Sequence, residues 1–359
     1  MTAGTAAIQT SAQGASMSDV EFGLDTFGDV PADDGGRLLS HAEAIRQVVA
    51  EAVLADELGV DVIALGEHHR PDYSVSSPEM VLAGIAGQTS RIRLSSGVTV
   101  LSSDDPVRVF QRFATLDALS NGRAEVILGR GSFTESFPLF GYDLRDYEVL
   151  FEEKLGLFAE LLTERPVTWS GTTRAALVDA DVYPKTESGR LPTWVGVGGS
   201  PQSVIRTAQH GFPMMLAIIG GEAARFRPYV ELYRRAAQEA GTAPQPVGMH
   251  SPGFVADTDA EAQETFFPTY KVMRDRIGAQ RGWPPLGRRE FDSEVRGGSM
   301  YVGSPETVAR RMAESIRALG VSRFDLIYSA GPASRSARMR SVELYGSKVI
   351  PMVRDLLAD

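Results

Sequence analysis

Short apolar runs alternate along this chain with longer segments whose apolar positions return at helical spacing. Val20–Asp25 and Val62–Leu65 read as strands, and the second is apolar throughout, as a parallel sheet covered on both faces requires. Between them, Ala42, Ile45, Val48, Val49, Val53, Leu54 and Leu58 mark a helix over Leu38–Leu58, with Gly59 as its stop. Ser77-Pro78-Glu79 opens another helix, because proline suits a first helical position. The alternation continues through a strand at Ile92–Leu101, a helix after Asp105-Pro106, a strand at Ala124–Leu128 and an amphipathic helix at Tyr147–Leu162. It resumes with Thr193–Val197, a helix from Ser200, Pro213–Ile218, a helix through Tyr229–Ala240 and Val247–Val255. A helix from Ser304, a strand at Phe324–Tyr328 and a helix near Val342–Leu357 complete it.

Two segments break this rhythm. Alternating runs around Gly171, within Val167–Pro184, predict a surface hairpin. Gly278–Gly298, rich in Gly, Pro and Arg and holding Trp283, predicts a long lid-like loop. The remainder amounts to about eight βα units, the number in a TIM barrel. A doubly wound open sheet competes, but no G-x-G-x-x-G follows the first strand. The expected class is therefore α/β, a TIM (β/α)8 barrel with insertions near 167–184 and 278–298.

Composition narrows the function. The chain has 359 residues, 43% hydrophobic and 23% charged, enough for a large core without metals or disulfides. Cysteine is absent, which excludes disulfides, thiolate metal sites and cysteine nucleophiles. A formal net charge of −10 and the lack of a dense basic run argue against a nucleic-acid partner. Residues 1–18 carry neither Lys nor Arg and no long apolar core, so a signal peptide is not expected. They read as a disordered tail, with Met17 as an alternative start, ahead of a single domain over 19–359. No apolar stretch is long enough to span a bilayer, and the expected location is cytoplasmic.

Chemistry concentrates at the ends of the predicted strands. Asp61-Val-Ile-Ala-Leu-Gly-Glu-His-His-Arg70 runs from a buried strand straight into Glu67, His68 and His69. Ligands in α/β folds gather outside the carboxyl ends of strands, and imidazole titrates nearest neutrality. Successive residues point in opposite directions, so only one imidazole should face the barrel mouth, which argues against joint chelation of a metal. No metal site is expected. The pair reads as a general acid/base or hydrogen-bond donor at the mouth, with a packed structural pair as the alternative.

Gly196-Val-Gly-Gly-Ser-Pro-Gln-Ser203 is the second signal. Ser200 is a good N-cap, Pro201 fits the first turn, and a helix starting there offers free N–H groups to a phosphate. An ordinary capped helix is the alternative. Gly303-Ser-Pro-Glu-Thr307 repeats the pattern, but Glu306 would repel an anion, so it reads as a capped helix only. Leu128-Gly-Arg-Gly131 is either an anion clamp at Arg130 or a glycine-rich turn with a surface arginine. Gly97, inside the third strand, marks close approach of another group or a plain wall position. No G-x-S-x-G nucleophile elbow is present.

Taken in order, Glu67-His68-His69, Val98-Thr-Val-Leu101 with Asp105-Pro-Val-Arg108, Ser120-Asn-Gly-Arg123, Leu128-Gly-Arg-Gly131, Phe140-Gly141, the Gly198–Ser203 loop and Gly211-Phe-Pro213 resemble the bacterial luciferase-like monooxygenase family. The resemblance spans nearly all of the chain from Val20. It implies a TIM barrel and a reduced flavin co-substrate, FMN, reduced by NAD(P)H directly or through a separate flavin reductase. It also implies O2 and a small organic substrate, and a homodimer. Carried over by position, His68 matches the catalytic histidine, with His69 beside it. Arg130, Gly199, Ser200 and Ser203 match phosphate contacts, and Val98 matches a residue behind the flavin ring. Thr99, Gly129, Val197 and Gly198 complete the cofactor-binding set. The Gly97–Val98 peptide corresponds to a non-prolyl cis bond. The luciferase branch has a cysteine where this chain has Gly129, and Glu148, with Arg145 nearby, falls close to a second phosphate-binding arginine of that branch. Light emission is not implied. Two alternatives stay open: hydride transfer with coenzyme F420, and a flavin-binding protein without turnover.

Overall fold

The computed structural model describes residues 19–243 and 245–358, so the expected tail over 1–18 lies outside the described residues. Strands β1 (Glu21–Thr26), β2 (Val62–Leu65), β3 (Arg93–Ser96), β4 (Thr99–Val100) and β5 (Val126–Gly129) come first. A hairpin of β6 (Val167–Trp169) and β7 (Leu177–Ala180) follows, then β8 (Thr193–Val197), β9 (Met214–Ala217), β10 (Val247–Val255), β11 (Tyr301–Gly303) and β12 (Arg323–Ile327). The helices are α1 (His41–Glu57), α2 (Pro78–Ala86), α3 (Pro106–Ser120), α4 (Ser136–Leu139), α5 (Tyr147–Leu161) and α6 (Pro201–Gln209). They continue with α7 (Arg227–Ala240), α8 (Asp259–Arg281), α9 (Arg288–Gly297), α10 (Pro305–Leu319), α11 (Arg335–Leu344) and α12 (Ile350–Ala358).

Parallel pairing runs β3-β2-β1-β12-β10-β9-β8-β5-β4. A bridge between Leu94 and Ala124 joins β3 back to the approach to β5, and the ring closes. β3 and β4 are one strand interrupted at Gly97–Val98, whose peptide is cis. Counted so, the wall has the eight staves of a TIM barrel. The hairpin pairs antiparallel outside the ring, as the alternation around Gly171 predicts.

Period-two alternation sorts the side chains. Phe22, Leu24, Ile63, Leu65, Val126, Leu128, Leu216 and Met249 face the helices in the main core. Ile127, Trp194 and Met215 point inward with Val98 and fill the barrel. The inner face also holds charge. Arg323, fully buried, gives Nε to Asp325 Oδ1 at 2.9 Å and Nη2 to Oδ2 at 2.7 Å. Its Nη1 reaches Glu125, which also accepts from Ser95 Oγ at 2.9 Å. Burial pushes the Glu125 carboxyl up, but Arg323 and Arg93 outweigh that and hold it below its ordinary range. Gly23 makes room for this network: a Cβ there would lie 2.1 Å from Asp325 Oδ1.

The segment 278–298 corrects the expected long loop. α8 runs 23 residues to Arg281, passing through Pro268, and α9 occupies Arg288–Gly297, so only residues 282–287 are irregular. Phe266, Tyr270, Leu286, Phe291 and Val295 pack into a second core that holds both helices in place. That burial outweighs the hydrogen bond lost at Pro268. Gly278 stays helical because it seats Trp283, whose N–H donates to Gly278 O at 2.9 Å. No helix among the described residues is long and apolar enough to cross a membrane.

Arg323→Ala strands Glu125 and Asp325 in the interior without a cation. It is expected to lower stability by about 3–5 kcal/mol, read from a urea unfolding curve. A midpoint equal to the parent's would mean that the network does not hold the barrel together.

Candidate active site

Glu67 leaves β2 with its side chain turned toward the interrupted third strand. Oε2 accepts the Val100 N–H at 2.8 Å, and Oε1 accepts from His69 Nε2 at 2.9 Å. His69 is thereby fixed, with Phe140 edge-on at 5.0 Å. His68 points elsewhere. Its ring lies among Phe27 at 5.3 Å, Tyr73 at 4.4 Å and Phe133 at 4.6 Å, and its side chain is 11% exposed. Nδ1 stands 3.9 Å from Glu135 Oε1, beyond hydrogen-bond reach. Burial, helped by the nearby Arg70 and His69, depresses the His68 imidazole to about 3, so it is neutral at physiological pH. The two imidazoles have different environments and cannot share one role.

Val98 occupies the gap left by the strand break. A Cβ on Gly129 would lie 2.4 Å from Val98 Cγ2, and one on Gly196 would lie 3.0 Å from Cγ1. The two glycines form a slot from β5 and β8 in which the valine sits. A cysteine at position 129 has no room beside Val98. Thr99 is buried, donates its hydroxyl to Ser96 Oγ at 2.9 Å and pairs with Leu128 of β5, so its side chain is committed within the wall.

On the neighbouring stave, β8 ends at Val197, and Gly198–Gly199 lead into α6. Gly199 has φ 99°, a left-handed conformation that favours glycine, and a Cβ on Gly198 would meet nothing within 4 Å. Ser200 caps the helix by accepting the Ser203 N–H at 3.4 Å. Ser203 Oγ is buried and has no partner. Arg130, at the end of β5, pairs with Glu148 and lies 5.3 Å from the Tyr147 ring. Glu148 also accepts from Arg206 Nη2 of α6 at 3.0 Å. A carboxylate thus bridges the guanidinium that follows β5 to one in the last turn of α6. Arg145 is not part of that bridge, because it pairs with Asp143.

Sequence reasoning missed what covers His68. Phe133 lies on the ring, and the guanidiniums of Arg70 and Arg281 sit 5.1 and 5.3 Å from the Phe133 centroid. Arg281 also donates to Ser132 O at 2.9 Å and lies 5.2 Å from Trp283. The cover is therefore the 130–135 loop, pinned by the end of α8. Arg206 was missed as well: it looks like any surface residue of an amphipathic helix. A cavity of about 570 Å3 opens next to this cover, between Asp29, His69, Arg70, Val272, Met273 and Arg276. Among the described residues, no cluster of three or more His, Asp or Glu converges as metal ligands.

Comparison with known proteins places this geometry. Residues 21–323 match the family model described as luciferase-like monooxygenase. The alkanal monooxygenase alpha chain of Photobacterium leiognathi is 25% identical over 349 residues, covering 88% of this chain and 95% of its own. Monooxygenase RslO1 from Streptomyces bottropensis shares the fold at TM-score 0.79 and 23% identity, over 92% of this chain and 99% of that one. The oxygenating constituent of 3,6-diketocamphane monooxygenase from Pseudomonas putida, solved with FMN, does so at TM-score 0.73 and 19% identity, over 93% and 98%. The coenzyme F420-dependent tetrahydromethanopterin reductase from Methanopyrus kandleri reaches TM-score 0.70 at 20% identity, over 93% and 99%. With the family model matched across most of its length and the barrel shared throughout, this chain belongs to the luciferase-like monooxygenase family.

Proposed function

We propose that the protein is a flavin-dependent monooxygenase that takes reduced FMN as a co-substrate and uses O2 to oxygenate a small organic molecule. One observation carries the reading. Ser203 Oγ is buried without a partner at the start of α6, beside Gly199, on the stave next to the one that ends in Arg130. Free N–H groups, an unused hydroxyl and a guanidinium together suit a phosphate monoester. The floor of Gly129, Val98 and Gly196 is low enough to let a flat ring approach the backbone.

When bound, reduced flavin supplies the electrons that activate O2. The chain supplies placement and a dry site. Arg130, Ser200 and Ser203 hold the phosphate, Val98 backs the ring, and the Phe133 loop keeps water from His68. Arg130 exchanges Glu148 for the phosphate, and Glu148 is exposed enough to be released to solvent. His68 works as a neutral imidazole that accepts a hydrogen bond or a proton, and Glu135 stands close enough to steady the charge. His69 orients the site through Glu67. Reduction of the flavin is assigned to NAD(P)H, directly or through a reductase, in a cytoplasmic homodimer.

Titration with FMN, riboflavin and coenzyme F420, with oxygen uptake followed in parallel, tests this. Ser203→Ala and Arg130→Ala are each expected to weaken FMN about tenfold while leaving riboflavin, which lacks the phosphate, unaffected. Equal losses for both flavins would remove the phosphate assignment. Turnover with F420 and no oxygen uptake would replace monooxygenation by hydride transfer, and binding without turnover would leave a flavin carrier. Gly129→Ala is expected to push Val98 into the cavity and weaken FMN roughly tenfold. Val98→Ala in the same chain should restore most of that affinity.

The depressed imidazole of His68 also sets a pH dependence. The folded state keeps it neutral down to about 3, whereas the unfolded chain protonates it near 6.5. The unfolded state therefore binds more protons in between, and stability falls as pH drops through that window. His68→Gln should lose about 1–2 kcal/mol less than the parent between roughly pH 7 and 5 in urea melts. Parallel curves for the two proteins would place His68 in water rather than under Phe133.

A further inference from the structure

The mechanism above leaves one buried titratable pair unused. Asp25, near the end of β1, and His250, on β10, both point into the barrel, since their neighbours Leu24 and Met249 face the helices. His250 Nδ1–H donates to Asp25 Oδ2 over 2.7 Å, and the two residues are 225 positions apart. The other inward positions at the C-terminal ends of the staves are small or apolar: Ala64, Gly97, Gly129, Gly196, Ala217 and Ile327. A floor built this sparingly has no packing need for an ionisable pair, and an apolar pair would fill the same volume without an orphaned oxygen.

Two details make the pair more than a tie between strands. Asp25 Oδ1 is buried without a partner and stands 3.0 Å from where a Cβ of Gly97 would be, against the strand break. His250 Nε2 makes no hydrogen bond among the described residues, yet the side chain keeps 10% exposure. An inward-facing residue near the top of the barrel reaches solvent only through the mouth. One imidazole nitrogen is held by a carboxylate and the other is left without a partner, which is how an oriented general acid/base is built. Asp325 and Arg323 of β12 are the other charged groups acting on Asp25, and they are bonded mainly to each other. β12, which lies between β1 and β10, sets Asp325 level with His250 and Ile327 level with Asp25, while the outer neighbouring strands present Ala217 and Ala64.

We propose that His250, positioned by Asp25, is a second proton-transfer group of this enzyme, set in the floor of the barrel mouth and separate from His68. The proposal rests on the monooxygenase reading for what occupies the cavity. In the step assigned to it, the Nε2–H bond of the His250 imidazolium breaks and an O–H or N–H bond forms on the ligand above. His250 is left as the neutral Nδ1–H tautomer bonded to Asp25 and regains its proton from water at the mouth. The division of labour follows from what each ring touches: His68, enclosed by Phe27, Tyr73 and Phe133 and neutral, accepts, and His250, its Nδ1–H held by Asp25, donates from Nε2.

Three measurements test it. In ligand-free protein labelled with 15N-histidine, the His250 ring is expected to carry its proton on Nδ1 when neutral, and to lose that fixed tautomer in Asp25→Asn. A neutral ring protonated on Nε2 instead overturns the proposal whether or not the protein binds flavin. FMN titration then checks the cofactor reading on its own, since failure of the parent to bind flavin sinks that reading and not the histidine result. In turnover, His250→Gln and His250→Ala should bind FMN within about threefold of the parent while kcat falls by about 10²-fold or more. Added imidazole should recover part of the His250→Ala loss, which no purely structural role allows. A kcat within threefold of the parent's, or a loss in folded protein that imidazole leaves untouched, rejects His250 as a donor.

Discussion

The carboxylate of Glu67 joins the two halves of a broken strand to the site that the break creates. β3 pairs with β2 as far as Ser96, and β4 pairs with β5 from Thr99, so the wall is open between them. One Glu67 oxygen closes that gap by accepting the Val100 N–H, and the other fixes His69. Because the break is held open, Val98 can turn inward into the slot between Gly129 and Gly196. An uninterrupted strand would carry the ladder past this point and leave no floor for a flat ligand. The Glu-His-His sequence thus supplies a brace in two of its residues and turns the third, His68, into an aromatic enclosure.

What the amino-acid pattern revealed follows from the range of the interactions behind it. Parallel strands need apolar residues on both faces, so Val62–Leu65 and Thr193–Val197 were legible from composition alone. Helix caps are local, and Ser200, Pro201 and Ser203 announced α6 within a few residues. The 278–298 segment misled for the complementary reason. Gly278, Pro284 and Pro285 are local breakers, whereas the contacts of Phe266, Tyr270 and Phe291 that keep α8 and α9 helical span tens of positions. Charged residues inside strands were hardest to read. Asp25, Glu125, Arg323 and Asp325 find their partners only when the barrel closes, as when Arg323 of β12 reaches across to Glu125 before β5 and Asp25 of β1 meets His250 of β10. The cover over His68 was likewise hidden, because Phe133 and Arg281 meet only in the folded chain.

Electrostatics distinguishes three places around the ends of the staves. Glu148 sits between Arg130 and Arg206, so neither guanidinium is left without a carboxylate in a protein of net charge −10. Under Phe133, His68 lies in an aromatic enclosure that disfavours its charge. On the floor, His250 has its Nδ1–H held by a carboxylate.

Hydrogen-bonding capacity left unused in a folded protein opposes folding, and it persists where something else draws on it. Arg323 satisfies its carboxylates completely, and nothing in that lower network invites a ligand. Higher in the barrel the accounting changes: Asp25 Oδ1 and Ser203 Oγ are both buried without partners, one on the floor and one at the opening of α6. Both lie at the ends of staves, where the interior gives way to the mouth, and neither is relieved by the small residues around it. Arg338 Nε and Asp117 Oδ1 are orphaned as well, so an unused group points to a site only where a ligand can reach it. A ligand that supplies a phosphate to the one and exchanges a proton near the other would offset both deficits at once, which couples cofactor binding to the stability of the barrel mouth.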